Sequence, residues 1–237
     1  MLRKSLAVVL SVAVLALPGA AGTKEEERLL DCGVALKQAL DVPEHIPQNL
    51  LDKAECVVVI PSVKKAAFFV GGSYGRGAMS CRTGEHWTGP WSAPSMYALE
   101  GGSFGLQFGG EATDFVLLVV NPRGASSLLR SKVKLGGDVS AALGPLGRTS
   151  QAETDIAMRA EILTYSRSQG IFLGVSLDGS TLRPDEDANH RIYGRELSAA
   201  EIVRNESAAA VPKAAQNMLA ELNKRSPKNL SDPKSLE

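Results

Sequence analysis

Residues 71–82 read GGSYGRGAMSCR, and residues 101–110 read GGSFGLQFGG. Both contain Gly-x-Ser-x-Gly, the spacing of a nucleophile elbow, so the residues downstream of each serine decide the fold class. An elbow needs a strand, a sharp turn and then a helix, which leaves the serine exposed beside free backbone amides. Downstream of Ser73 and of Ser103 large and small residues alternate with period two instead, as in a strand. His45, His86 and His190, the three histidines of the chain, stand in no triad-like context. A dinucleotide loop needs Gly-x-Gly-x-x-Gly between a strand and a helix, and neither the order nor the helix is there. GPLGRTS at 144–150 lacks the lysine of a phosphate loop. The glycines are therefore read as bulges, corners or close backbone approaches in a strongly curved sheet.

Working outward, ECVVVIP (55–61) is a β-branched run that predicts a buried strand ended by Pro61. AAFFVGG, GRGAMSCR, GSFGLQFGG and DFVLLVVN continue the β pattern to about Asn121. Upstream, Thr23 caps an amphipathic helix, TKEEERLLDCGVALKQAL, whose first turn is acidic, and a shorter helix comes next in PQNLLDKA. Asn121 and Pro122 open a short insert helix in NPRGASSLLRSKV. Strands resume with DVSAAL, AEILTYSRS and GIFLGVSLDG, and SAAEIVRN reads as helix. Pro212 interrupts the next helical pattern, and the polar tail from about Lys224 is expected to be loose. The fold class expected is α+β: a curved, largely antiparallel sheet, barrel- or sandwich-like, packed by the N-terminal helices and the insert helix.

The start of the chain reads as an address. Arg3 and Lys4 precede the apolar run LAVVLSVAVLAL, then Pro18 and the small residues GAAG. That pattern predicts a signal peptide over residues 1–22, cleaved near Ala21 or Gly22; the run is shorter than the roughly 20 residues of a spanning helix. Export to the periplasm, cell envelope or exterior is expected. The intact chain balances 26 basic against 26 acidic residues, which argues against a nucleic-acid binder. Residues 57–150 nevertheless carry 9 basic and 5 acidic residues, so the positive excess lies in the Gly-rich middle. Cys32, Cys56 and Cys81 allow one disulfide and one free thiol in an oxidising compartment, with the pairing open.

DEDANHRIYGRE (185–196) places Asp185, Asp187 and Asn189 at positions 1, 3 and 5 and Glu196 at position 12 of a calcium loop. His190 replaces the glycine such a loop needs at its sharp turn, and a strand-like segment precedes it. A polar connection capping the next helix is expected instead, with no metal and no cofactor. Lys64 and Lys65 fall in a predicted turn with Phe68 and Phe69 just beyond. Arg76 and Arg82 flank the next strand, and Arg123, Arg130, Lys132 and Lys134 surround the insert helix. Cations beside apolar groups suit an anionic headgroup above acyl chains, each worth roughly 1 kcal/mol near an anionic surface. Strand-end lysines and arginines also serve as ordinary edge charges that discourage sheet pairing. Trp87 and Trp91, in the Gly/Pro-rich EHWTGPWSAP, read either as interface anchors or as packing over a sheet end.

Four blocks, VVVIPSVKKAAFFVGGSYGRGAM, GPWSAPSMYALEGGSFGLQFGGEATDFVLLVVN, LGGDVSAALGPLGR and ILTYSRSQGIFLGVSLDGSTLRPDEDANHRIYG, together resemble the SYLF domain family, which includes fungal actin-patch proteins and exported bacterial members. The resemblance implies a non-enzymatic domain over 23–204 that binds membrane lipid, especially anionic phospholipid, with a helical and then flexible tail over 205–237. Eukaryotic members are described with a basic N-terminal region, which the acidic KEEER opening of this helix does not match. No stretch reads as an SH3 or FYVE module, and an exported chain would not meet cytosolic actin, so actin is not expected as a partner. The alternatives are a structural or protein-interaction module and a hydrolase using Ser73 or Ser103.

Overall fold

In the computed structural model, which describes residues 23–42, 46–67, 71–103, 112–130, 132–147, 159–168 and 171–231, the apolar run at 56–60 opens β1 (Cys56–Ala67) at the centre of one sheet. β1 pairs antiparallel with β2 (Gly71–Cys81) on one side and with β4 (Ala112–Val119) on the other. β3 (Ser95–Ser103) lies beyond β2. The spatial order β3-β2-β1-β4 is a Greek key, in which the fourth strand returns beside the first. β9 (Thr181–Pro184) and β5 (Val133–Lys134) extend the sheet past β3. β7 (Ile162–Ser168) extends it past β4, and its outer side pairs in succession with β6 (Ala141–Leu143), parallel, and β8 (Ile171–Gly174), antiparallel. The expected α+β class holds, and the curled sheet is a half-barrel left open at β5 and at β6/β8.

Both faces of the sheet are covered, which explains why β1 reads as a continuous apolar run rather than an alternating one. Val57 and Val59 join a cluster with α1 (Lys24–Asp41), α2 (Gln48–Leu51) and α6 (Gln216–Arg225). Cys56, Val58 and Ile60 point the other way, toward α3 (Pro122–Arg130) and α5 (Ala199–Arg204). α1 begins at Thr23 with a full capping box to Glu26, as its sequence predicts, and α5 repeats the device with Ser198 and Glu201. Gly33 gives α6 room to cross α1, since a Cβ there would lie 3.0 Å from Asn217 Cβ. A short 3-10 turn, Lys213–Ala215, comes after Pro212 and leads into α6.

Pro61 does not end β1, contrary to the sequence reading. The strand continues to Ala67 through a bulge that leaves Pro61 and Ser62 together opposite Asp114, between the pairs Ile60↔Phe115 and Val63↔Thr113. Proline is admitted in a sheet at such a bulge because no ladder donor is lost. Ser62 takes φ 51, and its freed N–H donates to Asp114 Oδ1 at 2.9 Å. On the other side the extra residue is absorbed opposite Gly75 and Gly77. A Cβ on Gly77 would sit 1.8 Å from the Val59 carbonyl oxygen, and one on Gly75 would sit 2.5 Å from Val63 Cγ2. The glycines of GGSYGRG thus serve close approach to a bulge in the neighbouring strand.

Other boundaries also shift. β3 already begins at Ser95 and includes the first two residues of the expected GSFGLQFGG, whose remainder lies outside the described residues, and Lys64 and Lys65 belong to β1 rather than to a turn. Residues 186–193, expected as a connection, form α4 (Glu186–Tyr193), capped by Asp185 and ended by Gly194 at φ 68. The disulfide joins Cys56 to Cys81, directly paired across β1 and β2. Cys32 stays a thiol, buried under α1 with its pKa pushed up to about 12 by desolvation. The predicted signal peptide and Phe68 and Phe69 lie outside the described residues.

Gly77→Ala is expected to lower unfolding free energy by about 3 kcal/mol or more, because the new methyl meets backbone that cannot move aside. Gly72→Ala, where the nearest atom is 3.8 Å away, should leave stability unchanged or raise it by up to about 1 kcal/mol. Urea unfolding of the two variants checks the bulge.

Candidate functional site

The bulge reverses the alternation of β1. Ile60 and Val63 both join the α3/α5 cluster, so Lys64 stands on the α1 face, paired with Tyr74. There the first two turns of α1 and the strands enclose a groove of about 360 Å³, lined by Lys24, Arg28, Lys64, Tyr74 and Arg76 with Glu27 and Asp31. Lys24, Arg28 and Asp31 reach it because spacings of three and four residues share one helix face. Among the described residues the side chains of Lys24, Arg28 and Lys64 make no ion pair or hydrogen bond, and Arg28 Nη1 is buried without a partner. Arg76 is held in place: it donates to the Tyr74 hydroxyl, lies 5.6 Å from that ring and faces Asp185 Oδ2 at 3.3 Å. The Tyr74 hydrogen bond first, and the Asp185 charge after it, raise its pKa.

Of the residues expected to bind lipid, Lys64 and Arg76 meet in this groove, and Lys65 is the next residue of β1. Arg130 and Lys132 line a separate cleft. Arg123 is exposed and faces Glu161 at 3.4 Å, and Lys134 is exposed on β5. Arg82 is a correction: it has no exposed surface, donates to the carbonyl and hydroxyl oxygens of Ser226 at 2.7 Å, and stacks 4.0 Å from the Trp91 ring. Trp87 and Trp91 are both buried, so packing over the sheet end is the reading that holds.

Lys24, Arg28 and Tyr74 are the site residues that sequence reasoning missed. The KEEER opening is acidic only in sum. Glu26 is spent on the cap, and Glu25 turns to Arg191 Nε at 2.8 Å. The two basic residues, four apart, are left on the groove side; a helical wheel of the opening carries that signal.

The calcium-like residues do not gather. Asp185 caps α4, Asn189 Oδ1 accepts from Met96 N–H inside the fold at 2.7 Å, and Glu196 pairs with His190 at 2.6 Å. Among the described residues no cluster suited to a metal occurs. Ser73 lies in mid-β2, paired with Gly101, and its hydroxyl donates to the Gly101 carbonyl at 3.4 Å. Ser103 is likewise a strand residue of β3. Mid-strand geometry at Ser73 is incompatible with an elbow, and the residues after Ser103 lie outside the described residues. Among the described residues no helix is long and apolar enough to cross a membrane.

Comparison with known proteins adds an independent line. Residues 100–225 match the family described as Ysc84, Las17-binding protein actin regulator. An SH3 domain-containing protein of Schizosaccharomyces pombe is 34% identical over 205 residues, 85% of this chain and 46% of that protein. Protein YSC84 of Saccharomyces cerevisiae is 32% identical over 206 residues, 86% of this chain and 43% of its own length. The human SH3 domain-containing YSC84-like protein 1 is 33% identical over 159 residues, 67% of this chain and 45% of its own. The chain thus spans less than half the length of these relatives.

At the far end of the sheet, where Arg82 is buried, the C-terminal segment is held rather than loose as far as Ser231. Trp91 Nε1 donates to the Ser226 carbonyl at 3.0 Å, and Leu230 N–H donates to the Asp52 carbonyl at 2.7 Å. Buried Glu55 accepts from Asn229 Nδ2 at 2.6 Å and from Ser231 Oγ at 2.8 Å. Burial pushes the Glu55 carboxyl up to about 7, against the opposing pull of those two hydrogen bonds and of Arg82 and Arg204. Between its ordinary value of 4.5 and about 7, the unfolded chain releases this proton while the native chain keeps it. Stability therefore falls as pH rises through that window. Glu55→Gln should flatten the fall, read from urea midpoints of wild type and variant between pH 4.5 and 7.5 (about half a unit past the upper value).

Proposed function

The chain belongs to the SYLF-domain family described as Ysc84, Las17-binding protein actin regulator, and from that membership we propose that it is a non-enzymatic domain binding anionic phospholipid at a membrane surface. The observation that carries this is the Arg28 guanidinium in the groove, with Nη1 buried and without a partner among the described residues, beside Lys24 and Lys64. A buried donor left unsatisfied costs about 1–3 kcal/mol, and phosphate oxygens are the acceptors a guanidinium fork fits best. Leu30 and Val34 are exposed one turn apart on α1, next to the groove-lining Asp31, and Tyr74 is 43% exposed. That apolar margin beside cations is the arrangement that favours an interfacial headgroup over a free anion. Phe68 and Phe69, proposed with them on sequence grounds, come directly after Ala67, the last residue of β1.

Export to the periplasm, envelope or exterior is part of the proposal, supported by the predicted signal peptide and by the Cys56–Cys81 disulfide, a bond that persists in oxidising compartments. Protein partners are the second reading, favoured by the family's description as Las17-binding actin regulators.

Co-sedimentation of the full chain with vesicles of phosphatidylcholine, with and without an anionic lipid, tests the first reading. Binding should require the anionic lipid and weaken with salt. Arg28→Glu with Lys64→Glu should reduce it at least about 30-fold, the two positions being worth about 1 kcal/mol each. Equal pelleting of wild type with neutral and anionic vesicles, or full retention by the double variant, defeats the reading; pelleting with actin filaments instead supports the second.

A further inference from the structure

A second cleft, of about 460 Å³ on the other side of the Arg76–Asp185 pair, plays no part in the groove reading. Its basic lining residues are Arg130 at the end of α3, Lys132 ahead of β5, and Arg183 of β9. Its acidic ones are Asp185, Glu186 and Asp187 at the start of α4. Arg183 is fixed by Glu100, which accepts from its Nε at 3.0 Å and its Nη2 at 2.7 Å. Arg130, Glu186 and Asp187 are not fixed. Among the described residues they form no ion pair or hydrogen bond from their side chains, so unpaired charges of both signs share this one opening. Asp185 is 5% exposed and already engaged, its Oδ2 facing Arg76 Nε at 3.3 Å and its Oδ1 accepting from the Ala188 N–H. Separated charges of this kind are screened by water when the cleft is empty, and a ligand carrying both complementary charges replaces that water at both ends.

The geometry points to a second binding site, in which this cleft takes a small zwitterion made of a phosphate and a primary ammonium, with phosphoethanolamine as its simplest form. The anion goes to the basic side, where guanidinium forks match phosphate oxygens. The ammonium goes to the acidic side and donates to the carboxylates of Glu186 and Asp187. A primary ammonium is specified over a quaternary one because it has hydrogens to donate, whereas a quaternary group is recognised by an aromatic cage. The cleft lining contains no aromatic residue among those described. The same chemistry occurs in a lipid headgroup and in a free metabolite.

Calorimetric and NMR titration of the full chain with O-phosphoethanolamine tests the site. Saturable binding is expected, with ethyl phosphate and ethylamine each at least tenfold weaker. Arg130→Glu, and separately Glu186→Gln with Asp187→Asn, should each weaken it at least tenfold while thermal unfolding stays unchanged, since all three side chains are exposed. Arg28→Glu with Lys64→Glu should leave it unaffected, which separates this site from the groove. Retention on phosphatidylcholine vesicles only after phosphatidylethanolamine is added assigns the lipid source; binding of the free compound alone assigns the soluble one. No saturable binding from either source, half-ligands that match the whole, or variants that bind like wild type overturn the proposal.

Discussion

The bulge at Pro61 and Ser62 is the constraint on which the rest of the molecule depends. In a regular strand the side chains alternate strictly, and Lys64 would share the face of Ile60, in a packed apolar layer. One extra residue reverses the order from Val63 onward. Val63 is kept for the core and the lysine is delivered to the other face. That insertion has costs on both sides: β2 must be stripped of side chains at Gly75 and Gly77, and β4 must supply the Asp114 carboxylate to take the stranded amide. Four features scattered over the sequence are thus one device.

The two ends of the sheet are built differently. At one, the disulfide, Arg82 between Trp91 and Ser226, and the bonded C-terminal segment leave few polar groups free. At the other, α1, β1 and β2 bring Lys24, Arg28, Lys64 and Arg76 into one groove, with Glu27 and Asp31 in its lining and Asp185 facing Arg76. Glu55 shows the cost of the rigid end, since a carboxyl taken so fully out of water keeps its proton toward neutrality.

Much of this was legible in the residues. The period-two pattern around the glycines, the Thr23 cap and the Pro212 interruption gave the fold class and the helix starts, because those signals are local. Pro61 misled, since a proline ending a strand and one seated in a bulge differ only in what lies opposite, which is a property of β2 and β4. Arg82 misled in the same way: its partner Ser226 is 144 residues away, and nothing near Arg82 predicts burial. The cysteine pairing waited on the register of β1 with β2. The acidic total of KEEER hid the groove because charge counts ignore which acids are already engaged. α4 was missed because Asp185, Asp187 and Asn189 are as common in loops as at the start of a helix.

α1 has a further consequence for handling the molecule. Its first residue borders the groove and its last, Asp41, pairs with Arg225 beside the anchored tail, so the helix runs nearly the length of the sheet. The described chain therefore begins beside the charged mouth and ends near the opposite pole. A probe attached at Thr23 would report on that mouth, while one at Ser231 would sit at the far end of the sheet and leave the mouth unobstructed.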